Sequence, residues 1–91
     1  MYKPNPLDTS DIDLPKVLKP IIEELAENVH ENWAALRMSE GWIYGEQHDD
    51  RCKQTPYLVP YSKLPDDERE YDRKTATETI KFILSKGYRI I

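Results

Sequence analysis

Trp33-Ala34-Ala35-Leu36-Arg37-Met38-Ser39-Glu40-Gly41-Trp42-Ile43-Tyr44-Gly45 holds both tryptophans and two of the three glycines of the chain, at the point where a helix gives way to extended backbone. Large rings beside glycines indicate backbone that turns sharply or lies close to another segment. Upstream, apolar residues recur every three or four positions from Leu18, which predicts an amphipathic helix that Gly41 terminates. Downstream, residues 42–44 are bulky and β-prone and predict a short strand.

Length and composition limit the class of protein. A chain of 91 residues with 38% hydrophobic content predicts a single domain over residues 1–91 with a modest core. The formal net charge of −4 excludes a strongly basic surface, so we expect no nucleic-acid partner. The single cysteine, Cys52, excludes an internal disulfide and favours a reducing compartment. Because the sequence has no apolar run long enough for a signal peptide or a membrane span, we predict a cytoplasmic protein with no membrane partner.

Two helices account for most of the chain. The first is predicted over about residues 15–40, with Pro20 either bending it or delaying its regular start. A helical wheel places one apolar line, the predicted core, at Leu18, Ile22, Leu25, Val29 and Leu36. The second is predicted over about residues 64–86, with Pro65 and acids at its positive end and Gly87 as its stop. The face predicted to meet the first helix consists of Ala76, Ile80, Ile83 and Leu84.

The remaining segments predict a minor β element and ordered coil. Residues 1–14 are interpreted as an arm packed on the body, with disorder of the first residues as the alternative. Residues 55–61 are extended and should contribute Leu58 and one or two tyrosines to the core. Residues 88–91 have strand propensity and are predicted to pair with residues 42–44. The predicted fold class is therefore α+β, mainly α, with two packed antiparallel helices and short strands near 42–44 and 88–91.

One flank of the first helix supplies a candidate ligand site. Trp33 and Arg37 are four positions apart, so the guanidinium can stack on the indole. Together with residues from the glycine-bounded turn and the following loop, this flank could hold a small anionic or aromatic ligand. The candidate residues are His30, Trp33, Arg37, Trp42, Tyr44 and Arg51. The alternative interpretation is structural, with Trp33 in the core and Arg37 as an ion-pair partner or a cap for helix carbonyls.

The second helix also carries aromatic residues away from its core face. Tyr71, Thr75 and Phe82 lie nearly opposite that face. Either the arm or the extended segment covers these residues, or they form a protein–protein contact.

Catalytic motifs are absent from the sequence. His48 and Cys52 are four positions apart beside two aspartates, but a structural zinc site takes four ligands. The sequence contains no nucleophile elbow, phosphate-binding Walker loop or dinucleotide fingerprint. We therefore expect no catalytic residues, no bound metal and no cofactor.

A series of motifs runs in order along practically the whole chain. They are Pro4-x-Pro6-x-Asp8-Thr9-Ser10, Leu14-Pro15, Leu25-Ala26-Glu27-Asn28-Val29-His30-Glu31-x-Trp33, Gly41-Trp42-x-Tyr44-Gly45, Asp49-Asp50, Pro56-x-Leu58-Val59-Pro60-Tyr61-x-x-Leu64-Pro65, Glu70-Tyr71, Thr77-Glu78-Thr79-Ile80-Lys81 and Gly87-Tyr88. This series resembles the ryanodine receptor repeat, or RyR domain. In calcium-release channels the repeat occurs in tandem pairs on the cytoplasmic face, where it acts in contacts and regulation.

The resemblance implies two functions for this chain. It holds one repeat and is similar to small stand-alone repeats of bacteria and phages, which implies a non-catalytic sensor of nucleotide-like ligands. The alternative is an interaction module whose homodimer mimics the tandem pair of the channels, through the face formed by Tyr71, Thr75 and Phe82.

Overall fold

The computed structural model describes residues 1–90, and its main elements are two packed helices. A 3-10 helix over Lys16–Ile21 leads into helix α1, Ile22–Ser39, and helix α2 covers Asp66–Ser85. Regular α-helix begins only after Pro20, which lacks the N–H needed for an intrahelical bond. The two predicted helices are confirmed, and so is the α+β, mainly α, class.

The two helices run in opposite directions. Glu23, at the start of α1, pairs with Arg73 of α2. Trp33, near the end of α1, borders a cavity with Glu68, which lies closer to the start of α2. Arg73 also contacts Asp66 at 3.2 Å and therefore joins the two helices through carboxylates on both of them.

Gly41 ends α1 as predicted. Its φ of 93° is in the left-handed region that favours glycine. The Gly41 N–H donates to the Met38 carbonyl at 3.0 Å, and the Trp42 N–H donates to the Arg37 carbonyl at 3.0 Å. This pair of bonds is the Schellman arrangement, and it brings Trp42 back over the last turn of α1.

The β element is a two-stranded parallel sheet. Strand β1, Ile43–Tyr44, pairs with β2, Gln54–Thr55, in the register Ile43↔Gln54 and Tyr44↔Thr55. A Cβ on Gly45 would lie 2.6 Å from Oε1 of Gln54, so this close approach requires glycine. The strand predicted near 88–91 is wrong over residues 88–90, which form no strand, and Ile91 lies outside the described residues. Gln54–Thr55 takes its place because the loop between the strands folds back on itself through an Asp49↔Gln54 bridge.

The core lies between the helices and the crossing segment, which is residues 57–64 and packs across α1. Its buried apolar residues are Ala26, Leu58, Tyr61, Leu64, Ala76 and Ile80. Three of these come from residues 58–64, which include a 3-10 turn over Tyr61–Lys63. The prediction that Leu58 and a tyrosine enter the core is confirmed.

The buried stripe of α1 is the flank rather than the predicted core line. Ala26 is 0% exposed and His30 3%, whereas Leu36, predicted to be in the core, is 62% exposed. Ile83 of α2 is likewise 40% exposed. The physical reason is that the segment over residues 58–64 packs on the flank that carries Ala26 and His30, which rotates the buried face of α1.

The N-terminal arm contacts α2. Thr9 is buried, and its hydroxyl donates to Oε1 of Glu78 at 2.8 Å. Pro6 and Leu7 border a surface depression that includes Phe82. The arm therefore borders part of the α2 face that carries Tyr71, Thr75 and Phe82. Phe82 nevertheless remains 49% exposed.

Candidate ligand-binding site

A partly open cavity of about 200 Å³ lies between α1, α2 and the extended segment. It is lined by His30, Trp33, Tyr57, Leu64, Glu68, Tyr71 and Asp72. Residues three or four positions apart on a helix share a face, which places His30 with Trp33 on α1 and groups Glu68, Tyr71 and Asp72 on α2. Four rings and two carboxylates therefore border one small space.

His30 is held in one orientation by the crossing segment. Its Nε2 lies 2.6 Å from the carbonyl oxygen of Val59. A carbonyl oxygen only accepts, so Nε2 carries the hydrogen of this bond. The imidazole is stacked on Trp33 with 5.6 Å between centroids, and it lies 6.3 Å from the ring of Tyr61. These contacts position the Trp33 indole at the wall of the cavity.

The charged side chains that line the cavity are acidic. Burial raises the pKa of the Asp72 carboxyl above its ordinary value, and the interaction with His30 opposes this rise. The negative charge of Glu68 raises the pKa of the Tyr57 phenol. In the described part of the chain, the lining contains no Lys or Arg. A group that enters this space therefore meets negative charge.

A second cluster lies at the end of α1. The Arg37 guanidinium carbon is 4.9 Å from the centroid of the Trp42 ring, and Trp42 is 5.6 Å from the ring of His48. The predicted stack of Arg37 on Trp33 is replaced by one on Trp42, because the turn at Gly41 carries that ring back toward α1. Arg37 also pairs with Glu40 at 3.4 Å, as in the structural interpretation.

The structure divides the six predicted ligand residues among different places. His30 and Trp33 line the cavity, whereas Arg37 and Trp42 form the neighbouring cluster. Tyr44 is 53% exposed on β1. The remaining residue, Arg51, is exposed in the loop, where its backbone N–H donates to Oδ1 of Asp49 at 2.9 Å.

Sequence reasoning missed four residues of the cavity, which are Tyr57, Leu64, Glu68 and Asp72. Tyr57 comes from the crossing segment, and no local pattern indicates which helix it contacts. Glu68 and Asp72 were detectable in principle, since their spacing places them on one helix face with Tyr71. Tyr71, predicted at an interface, also lines this cavity.

The loop between the strands contains the polar residues that superficially indicate metal or thiol chemistry. His48 Nε2 lies 2.7 Å from Oδ1 of Asp50, so its hydrogen-bond partner is this carboxylate and not the Cys52 thiol. The Asp49 carboxylate raises the pKa of the Cys52 thiol, which reduces the reactive thiolate fraction. Among residues 1–90, no group of three or more His, Cys, Asp or Glu side chains is placed to hold a metal ion.

Fold and site together define a small α+β module, in which two antiparallel helices and a crossing segment enclose a ring-lined cavity. Neither helix within residues 1–90 is both long and apolar enough to span a bilayer. The family model of the RyR domain matches residues 2–91. The chain therefore belongs to the RyR domain family, which confirms the resemblance read from its motifs.

Proposed function

We propose that this RyR domain is a non-catalytic module that binds a small nucleotide-like ligand, with the base of the ligand in the cavity. The observation that supports it is the set of rings around this space, including Trp33, Tyr57 and Tyr71. A volume of about 200 Å³ is smaller than the roughly 300 Å³ at which pockets for drug-sized ligands begin. The cavity therefore suits one heterocyclic ring, and stacking of a base on an aromatic side chain is worth roughly 1–3 kcal/mol.

Arg37 is proposed to bind the phosphate of such a ligand outside the cavity. It lies four positions after Trp33, which corresponds to about 6 Å along the helix axis. Its present partner Glu40 is 3.4 Å away, and both side chains are more than 40% exposed. An exposed pair of this kind is weak, so a phosphate can replace it. Trp42, beneath Arg37, together with Tyr44 and Arg51, is proposed to make outer contacts only.

A thermal-shift screen of nucleosides and nucleotides, followed by calorimetry, tests this proposal. We expect nucleotides to raise the melting temperature. Arg37→Ala should weaken binding of nucleotides but not of nucleosides, and Tyr71→Ala should weaken both. Arg89→Ala and Tyr88→Ala, at exposed positions outside the cavity, are the matched controls. The proposal is wrong if no nucleotide stabilises the protein, or if Arg37→Ala leaves nucleotide affinity unchanged.

Self-association through α2 is a second proposed function. Tyr71 and Phe82 are eleven positions apart, close to three helical turns, so they lie along one stripe with Thr75. Tyr71 is 70% exposed and Phe82 49%, which makes this the most aromatic part of the helix surface. Exposed rings along one stripe are typical of protein–protein contacts. The partner would be a second copy of the chain, paired as the tandem repeats of the channels are.

Light scattering over a concentration series tests the homodimer. We expect a dimer at high micromolar concentration that Phe82→Lys disrupts and that Tyr88→Lys, at an exposed position away from this stripe, leaves intact. A monomer throughout the series contradicts the proposal. A dimer that persists in Phe82→Lys contradicts the proposed face.

A further inference from the structure

We infer that the cavity selects a positively charged ring, so that the part of the ligand that enters it is an organic cation of the size of one heteroaromatic ring. This inference rests on the proposal that the cavity is the ligand site. It goes further because it assigns a charge to the ligand and a role to Glu68 and Asp72, residues outside the sequence-predicted set.

The aromatic walls supply the first argument. Trp33, Tyr57 and Tyr71 all line a space of about 200 Å³, so a group inside it lies close to several aromatic rings. Ring faces carry partial negative charge and attract cations within about 6 Å, most strongly when the ring is a tryptophan. A compact cation that enters this space leaves water and is attracted by these ring faces.

The carboxylates supply the second, independent argument. Glu68 and Asp72 lie four positions apart on α2, and like charges at this spacing destabilise a helix. Neither has a basic nitrogen within 4.0 Å in the described part of the chain, although Arg69 and Arg73 of the same helix are both engaged with Asp66. Two carboxylates on one helix face, neither of them paired with a Lys or Arg, are stabilised by a cation placed beside them.

The charged groups of the lining are the two carboxylates. His30 is 3% exposed, and its Nε2 hydrogen is used by Val59. Glu68 and Asp72 therefore determine that the lining favours a cation and disfavours an anion.

Matched ligand pairs that differ by one charge test the inference. 1-Methylnicotinamide is compared with nicotinamide, and 7-methylguanosine with guanosine, by calorimetry at low and high salt. We expect the cation of each pair to bind at least about tenfold more tightly than its neutral partner, with the difference shrinking at high salt.

Conservative variants identify the groups responsible. Glu68→Gln and Asp72→Asn keep the size and shape of the side chains, and each should reduce cation affinity several-fold while leaving the neutral ligands unaffected. Asp67→Asn is the control, since Asp67 is an exposed acid of the same helix turn that does not line the cavity. Circular dichroism of each variant verifies that it is folded.

The possible results separate this inference from the proposed function. If nucleotides with an uncharged base bind and the cations bind no better than their neutral partners, the cation inference is overturned and the nucleotide proposal stands. If the cations bind and no unmodified nucleotide does, the inference stands and the nucleotide proposal fails. If no tested ligand binds, or if Glu68→Gln and Asp72→Asn leave cation affinity unchanged, the inference is overturned.

Discussion

The Nε2 of His30 donates a hydrogen bond of 2.6 Å to the carbonyl oxygen of Val59, and this bond links the crossing segment to α1. Val59 lies between Leu58 and Tyr61, both of which are core residues. The bond therefore fixes the segment that carries half of the buried apolar side chains, and with it the wall of the cavity.

His30→Leu should destabilise the domain by roughly 1–3 kcal/mol, because the variant leaves the Val59 carbonyl without its donor. For a domain of this size, each kcal/mol corresponds to about 4–8 °C in melting temperature. Urea denaturation measures the effect. His48→Leu, at a histidine whose side chain is 59% exposed, should leave stability nearly unchanged. Equal stability of the two variants would show that the bond to Val59 contributes nothing.

Gly45→Ala should destabilise the protein through a steric clash. The added Cβ would lie 2.8 Å from the Cβ of Gln54, and Gln54→Gly should therefore restore part of the loss. Gly41→Ala should cost about 1 kcal/mol for a different reason, since its φ of +93° is strained for alanine and the nearest atom is 3.9 Å away. Thermal denaturation of the single and double variants distinguishes the two causes. A failure of Gln54→Gly to rescue Gly45→Ala would contradict the clash.

Asp72→Asn should stabilise the free protein at neutral pH by on the order of 0.5 kcal/mol. Burial raises the pKa of Asp72 from its ordinary 3.8, so this carboxyl contributes stability that is present below the unfolded pKa and lost as pH rises through the folded pKa. The gain in the variant should accordingly vanish in acid. Asp67→Asn, at the positive end of α2, should instead destabilise slightly.

Denaturation of both aspartate variants at neutral and acid pH tests this sign. Asparagine and aspartate have similar helix propensities, so the comparison reports on charge. A loss of stability in Asp72→Asn at neutral pH would show that the carboxylate is already paired in the free protein.

Arg73→Met should destabilise the domain slightly at neutral pH, since Arg73 bridges exposed carboxylates of both helices and exposed ion pairs are weak. The hydrogen bond from Arg73 lowers the pKa of Glu23 below its ordinary 4.5. A lowered pKa contributes stability that is present above the unfolded pKa and is lost as pH falls through the folded pKa. The difference from the parent protein should therefore shrink in acid.

NMR titration of Glu23 is the direct measurement for this pair. Its pKa should rise toward the ordinary value in Arg73→Met and stay low in Lys74→Met, where an exposed neighbour is changed. An unchanged pKa in Arg73→Met would contradict the bridge between the helices.

Local signals were sufficient to predict the helices and their ends. The apolar period, Pro20 and Gly41 each act over a few residues, so their effects are visible in the sequence. The buried face of α1 was predicted wrongly because it depends on which segment packs there. On a helical wheel, Leu36 is favoured over Ala26 as a core residue because leucine is the larger apolar side chain. In the structure the crossing segment covers Ala26 and leaves Leu36 exposed.

The site was predictable only in part for the same reason. His30 and Trp33 were correctly placed on one flank by helical spacing, and both line the cavity. Tyr57 joins them through a contact between segments far apart in the chain, and its place cannot be deduced from spacing. The partner strand of β1 was also a non-local choice, and propensity alone favoured residues 88–91 over the polar Gln54.

The arm over residues 1–14 has consequences for how the native state opens. The bond from Thr9 to Glu78 joins residues 69 positions apart, yet the arm contains no helix or strand of its own before Lys16. It can therefore detach without breaking a helical hydrogen bond. The amide of Ile12, bonded to the Thr9 carbonyl at 3.0 Å, should exchange with solvent through this local unfolding. Amides in the middle of α1 and α2 should exchange only when the whole domain unfolds, which makes the arm a separate cooperative unit.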